Sequence, residues 1–169
     1  REFVERYYRH TPLDELTSRD AETFAGVAHS HLVLARTRPP GTANVRVYNP
    51  STEADGWSNP RTIIQVVTDD MPFLVDSVTG ALVQAGIDIH LIIHPQLIVV
   101  RDAVGELKSV ENRDITKSFR SGAVGELAES WMLLSIDREG DEEQRAELER
   151  TIRSVLEDVR QSVEDWPKM

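Results

Sequence analysis

Hydrophobic positions along the 169-residue chain repeat with two different periods, and the change falls at a proline-rich break. From Arg19 to Arg36 the apolar residues Phe24, Ala28, Leu32 and Ala35 recur at helical spacing, with Val27 and Leu34 widening the stripe. Upstream, Thr11-Pro12 reads as an N-cap followed by proline at the first helical position, and Ser18 offers a second cap. Arg38-Pro39-Pro40-Gly41 stops the helix. Residues 1–40 therefore read as a helical N-terminal element that gains stability only by packing on its neighbour.

Beyond the break the period falls to two. Ala43, Val45 and Val47 alternate with polar neighbours, which predicts a strand with one wetter face, and Asn49 to Pro60 is a turn-rich loop. Thr62 to Val67 is short, β-branched and almost continuously apolar, as a central strand requires. Thr68-Asp69-Asp70-Met71-Pro72 then switches the chain into a helix, with Asp70 as expected cap and Pro72 in the first turn. Leu74, Val78, Ala81, Leu82 and Ala85 form its buried stripe, and Gly86 ends it. Ile87 to Arg101 predicts a long strand interrupted or bulged at Pro95, with Glu106 to Val110 folding back on it. Asn112 to Ala128 reads as a polar excursion, Trp131 to Ile136 as a strand, and Asp141 to Asp165 as a long amphipathic helix. Leu148, Ile152, Val155, Leu156, Val159, Val163 and Trp166 line one side of that helix.

This order predicts an α+β, ferredoxin-like domain over residues 41–169, an antiparallel sheet with two helices on one face. The last strand of that arrangement is missing after the final helix. Ala43 to Tyr48, joined to Thr62–Val67 by a hairpin-like connection, is expected to fill the vacant edge. An exposed strand edge would invite pairing with another module.

Nineteen basic and 29 acidic residues give a formal net charge of -10, which argues against nucleic acid and anionic membrane as partners. The acidity peaks over Asp137–Asp165, with eleven acids and five arginines, and reads as the solvated face of a helix. There is no cysteine, hence no disulfide and no thiolate metal site, which fits a cytoplasmic protein. The chain opens on Arg1 and stops soon after an amphipathic helix, so it is expected to be a piece of a longer protein.

The corner Val67-Thr68-Asp69-Asp70-Met71-Pro72-Phe73-Leu74-Val75-Asp76, with Ala85-Gly86-Ile87-Asp88-Ile89 closing the helix, resembles the ACT family of amino-acid-sensing domains. That resemblance implies a ligand-binding corner at Asp69, Asp70, Met71, Pro72 and Phe73. Phe73 departs from it, standing where ligand-binding members carry a glycine that lets the ligand's backbone approach. Asp69 and Asp70 already place negative charge at the helix start, so an amine-bearing ligand suits the corner better than a phosphate. Simple capping by Asp70 is the plainer role.

A wider stretch looks like the N-terminal region of the large NAD-specific bacterial glutamate dehydrogenases. It comprises Arg61 to Val78, His94-Pro95 with Arg101-Asp102, and Glu129-Ser130-Trp131-Met132 leading to Ile136-Asp137-Arg138. In that family Phe73 belongs to the usual pattern. The resemblance implies a non-catalytic regulatory or assembly segment, partnered by other domains of the parent chain, by its homo-oligomer and by a free amino-acid effector. NAD would be bound elsewhere in the parent.

Residue chemistry agrees. No Gly-x-Gly-x-x-Gly follows a strand, and no P-loop occurs, so no cofactor is expected on this segment. His90 and His94 share a strand face but stand about 13 Å apart, too far for one metal, and His29 and His31 point apart on a helix. Ser77, Ser130 and Ser135 lack the context of a nucleophile. The competing reading is a free-standing small ferredoxin-like enzyme using the carboxylates near Asp70, with Asp69 and Asp76 beside it. An RNA-binding domain of the same topology is opposed by the charge and by the missing aromatic pair.

Overall fold

The computed structural model describes residues 2–9, 11, 21–111 and 125–165. The expected first helical residue Pro12 and the second cap Ser18, most of the Asn112–Ala128 excursion, and Trp166 lie outside them. Among the described residues two helices come first, the short α1 (Glu2–Tyr7) and α2 (Ala21–Ala35). Then follow β1 (Asn44–Tyr48), a one-turn helix α3 (Thr52–Asp55) within the loop, and β2 (Thr62–Asp69). Helix α4 (Leu74–Gln84), β3 (Ile89–Ile93), β4 (Gln96–Arg101) and β5 (Leu107–Val110) lead to β6 (Glu126–Ile136) and the long helix α5 (Glu142–Asp165). β6 begins five residues before Trp131, so part of the expected excursion is strand.

The sheet is antiparallel in its neighbour pairs, in the order β1-β2-β6-β4-β5, with β3 beside β4 on the same flank of β6. β1 does occupy the edge next to β2, with Asn44 opposite Val67 and Tyr48 opposite Ile63. β3 and β4 keep a single register across Pro95: Ile93 lies opposite Leu133 and Gln96 opposite Ser130. Trp131 N donates to Pro95 O at 2.9 Å. The return bond from residue 95 is the one that proline cannot give, so the strand is interrupted without slipping.

Both faces of the sheet are covered, which explains why β2 and β6 are apolar at almost every position. Ile64 and Val66 of β2, with Met132, Leu134 and Ile136 of β6, pack under Leu74, Val78 and Leu82 of α4 and Ile152, Leu156 and Val159 of α5. Ile63, Val67, Trp131 and Leu133 face the other way, under Tyr7, Val27, Ala28 and Ala35 of the N-terminal helices. The two helices expected on one face are α4 and α5, and α1 with α2 close the opposite face. Ala85, expected in the buried stripe, is exposed, because α4 has already ended at Gln84 and Gly86 turns the chain at φ 76°.

Groups from outside the sheet cap part of the β1 and β5 edges. Arg153 of α5 donates to the outward carbonyls of Ala43 and Val45 at 3.0 and 3.2 Å. On the opposite edge Leu107 N donates to Arg36 O at 2.8 Å, and the Arg6 guanidinium reaches Val110 O. Guanidinium groups and the segment after α2 thus occupy some of the ladder groups that another strand would need, while among the described residues no strand pairs with the outer side of β3.

Candidate functional site

β2 stays paired with β6 as far as Asp69, opposite Glu129, and Asp70 N still donates to Ala128 O at 2.9 Å. Asp70 is thus held in the sheet, three residues short of the residue before the helix, and it does not cap α4. The N-cap is Phe73, with φ 70° and ψ 6° and no side-chain cap bond. Pro72 accordingly sits in the turn ahead of the helix. Phe73 is the one non-glycine residue among those described with positive φ, and it is 53% exposed. Left-handed backbone is the conformation glycine adopts without penalty, which gives a physical reason for glycine at this corner in the ACT pattern.

The corner's two carboxylates part company. Asp69 Oδ1 accepts from Arg38 Nη2 at 2.7 Å and its Oδ2 from Arg160 Nη1 at 2.9 Å, tying the segment after α2 to helix α5. Asp70 Oδ1 accepts from Ser130 Oγ at 2.7 Å and from Gln96 Nε2 at 3.1 Å, across the sheet to β6 and β4. Met71 is half-buried and packs against the α4–α5 core. Asp76 stands on α4, exposed and apart from both. The three acids do not converge on one reacting position.

Sequence reasoning missed a larger charged cluster directly behind Asp69. Glu129, fully buried, accepts from Arg38 Nε and Nη2 at 3.1 and 2.7 Å, from Arg101 Nε and Nη2 at 2.7 and 3.0 Å, and from Trp131 Nε1 at 3.0 Å. Burial works against the Arg38 guanidinium, but Glu129 and Asp69 outweigh it and hold its pKa above the ordinary arginine value. Arg38 Nη1 and Arg101 Nη1 also donate to Thr42 O and Gly105 O, each at 2.8 Å, so both forks are largely committed. The signal in the sequence was an acid, Glu129, just ahead of the apolar run from Trp131 to Leu134.

Three of the histidines have separate partners. His31 is buried between Tyr7 and Val66, and burial lowers its pKa to about 4, against a smaller upward pull from the Val66 bond. His90 pairs with Asp137. His94 Nε2 lies 3.1 Å from Ser130 Oγ, and burial lowers its pKa while Asp70 pulls the other way. Among the described residues no group of three His, Asp or Glu can hold a metal, and no helix is long and apolar enough to cross a membrane. The β2–α4 corner has two carboxylates and no glycine, a composition that repels a phosphate where a dinucleotide cradle would attract one.

Beside the corner lies a groove of about 560 Å³ between α4 and α5. Phe73, Ser77, Gly80 and Ala81 form one wall and Val155 and Val159 the other, with Asp76 and Asp158 among its lining residues.

Strand order, crossover helix and corner together define an α+β domain of ACT type. The chain belongs to the family described as "Glutamate dehydrogenase, ACT1 domain", whose model matches residues 3–152. Among curated proteins it is 36% identical over 167 residues to the NAD-specific glutamate dehydrogenase of Pseudomonas aeruginosa and 32% identical over 167 residues to that of Halomonas elongata, in each case covering 99% of this chain and 10% of the relative. The Mycobacterium tuberculosis enzyme of the same name is 32% identical over 136 residues, covering 80% of this chain and 8% of the relative. The chain therefore spans about a tenth of the length of the relatives it matches.

Proposed function

We propose that the chain is a regulatory and assembly segment of a large, cytoplasmic NAD-specific glutamate dehydrogenase and performs none of the chemistry itself. The observation that carries this reading is the match along almost the whole chain to a small fraction of enzymes named for that activity. The parent reaction, oxidation of glutamate to 2-oxoglutarate and ammonium with NAD as acceptor, is assigned to the remainder of that polypeptide. The committed carboxylates at Asp69, Asp70 and Glu129 support this, since each is held by internal donors rather than poised for proton transfer.

With the β1 and β5 edges partly capped, the helix layer is the surface offered for assembly with the parent's other domains or a second subunit. The same reading places a free amino-acid effector at Asp69, Asp70, Met71, Pro72 and Phe73, entering from the α4–α5 groove. Thermal denaturation of the chain against a panel of amino acids at millimolar concentration tests sensing: a rise in midpoint supports it, and none leaves assembly alone. An assay of the isolated chain with glutamate and NAD is expected to show no turnover, and turnover would overturn the reading.

A further inference from the structure

A second cavity, of about 210 Å³, opens on the other side of Asp69, between α5 and the entry to β1. Thr68, Arg153, Glu157 and Arg160 contribute to its lining, with Gly41 to Ala43 at its edge. Thr68 shares the register of Ile64 and Val66, so its side chain stands toward α5, and the residue is 1% exposed. Its hydroxyl has no hydrogen-bond partner, and neither has Nη2 of Arg160, whose Nη1 is held by Asp69. Two buried, orphaned polar atoms on residues that line one cavity are costly for a folded chain to carry and cheap to satisfy with a single acceptor.

The charge count points the same way. Arg160, Asp69, Arg38, Glu129 and Arg101 form one continuous network, in which three guanidinium groups meet two carboxylates. The excess positive charge ends at Arg160, the member that reaches the cavity. Arg153 is already engaged with the carbonyls of Ala43 and Val45 and with Glu149. Glu157 is an exposed carboxylate in the lining, which penalises an entering polyanion.

We infer that this cavity binds a small, singly charged oxyanion, a carboxylate, through Arg160 Nη2 and Thr68 Oγ1. The bound group completes the Arg160 fork and neutralises the network's surplus charge. This inference does not rest on the regulatory reading, because it concerns local charge and hydrogen bonding alone.

The test is a titration of the chain with sodium acetate, and in a parallel arm with inorganic phosphate. Each is followed by the denaturation midpoint and by the amide NMR shifts of Thr68 and Arg160, against sodium chloride at equal ionic strength. Acetate is expected to raise the midpoint beyond the chloride control and to move both amides. Arg160→Gln should weaken acetate binding by about tenfold or more, since a charge-assisted bond is lost. Thr68→Val should be at least as stable as the parent without acetate, because it removes a buried hydroxyl that has no partner, yet bind acetate several-fold more weakly. No effect beyond chloride, equal binding by both variants, or a Thr68→Val protein that is markedly less stable overturns the proposal. Phosphate binding tighter than acetate overturns the assignment to a carboxylate.

Discussion

Tyr7 Oη lies 2.7 Å from Nδ1 of His31, and this buried bond ties α1 to α2 across the face of the sheet remote from α4 and α5. The far ring nitrogen, Nε2, is 3.0 Å from Val66 O. A carbonyl can only accept, so Nε2 carries the proton and Nδ1 accepts from the tyrosine hydroxyl. The neutral ring is therefore the one this site fits, and burial, with the neighbouring Tyr8 and Tyr48 hydroxyls, pushes the Tyr7 pKa well above its usual value.

Stability should fall in mild acid for this reason. The folded pKa of His31, about 4, lies below its ordinary value of 6.5, so the unfolded chain binds the proton more readily. The stability held by the neutral ring is complete above pH 6.5 and is lost as the pH falls toward 4, by roughly 3 kcal/mol. His94, lowered in the same direction by burial, adds to the slope. Chemical denaturation between pH 7.5 and 4 should show a shallower decline in His31→Gln, and an NMR midpoint for the His31 ring near 6.5 would contradict the argument.

Glu129→Gln should be among the most damaging single changes that preserve volume. It leaves Arg38 and Arg101, whose side chains are 1% and 2% exposed, with much less compensating charge. The expected loss is about 3–5 kcal/mol, measured by urea denaturation. A loss below about 1 kcal/mol would mean that water reaches this cluster.

At position 73 the usual ranking of alanine over glycine should invert. Phe73→Gly and Phe73→Ala remove the same ring, so their difference isolates the backbone at φ 70°. The glycine variant should be more stable by about 1 kcal/mol. Equal stabilities would show that the corner relaxes out of the left-handed region.

Gly105→Ala should destabilise the β4–β5 turn and, through it, the charge cluster. A Cβ there would sit 2.2 Å from Arg38 O, at φ +98°, while Gly105 O accepts from both Arg38 N and Arg101 Nη1. A loss of about 2 kcal/mol or more is expected from denaturation curves. Gly80→Ala, a helical site with open space around it, serves as the control and should be neutral or slightly stabilising.

Local rules were enough for most elements. The stripe of Leu74, Val78 and Leu82 marked α4, the β-branched run marked β2, and Gly86 marked the stop. Even the use of the 44–48 strand at the open edge followed from connection length. Caps were less legible: Asp70 has the right chemistry for the end of a helix, but Ser130 and Gln96 claim its carboxylate from strands distant in sequence.

Hydrophobic period and turn chemistry act over a few residues, so the chain's order of strands and helices, and hence its α+β class, was fixed by the sequence alone. Which charges meet was decided by the fold. Arg38, Asp69, Arg101, Glu129 and Arg160 lie up to 122 positions apart, and the pairing of β6 with both β2 and β4, the docking of α5 and the course of the segment after α2 bring them into one network. Coulomb energy depends on distance in space and on exclusion of water, and neither is written in the local pattern of residues.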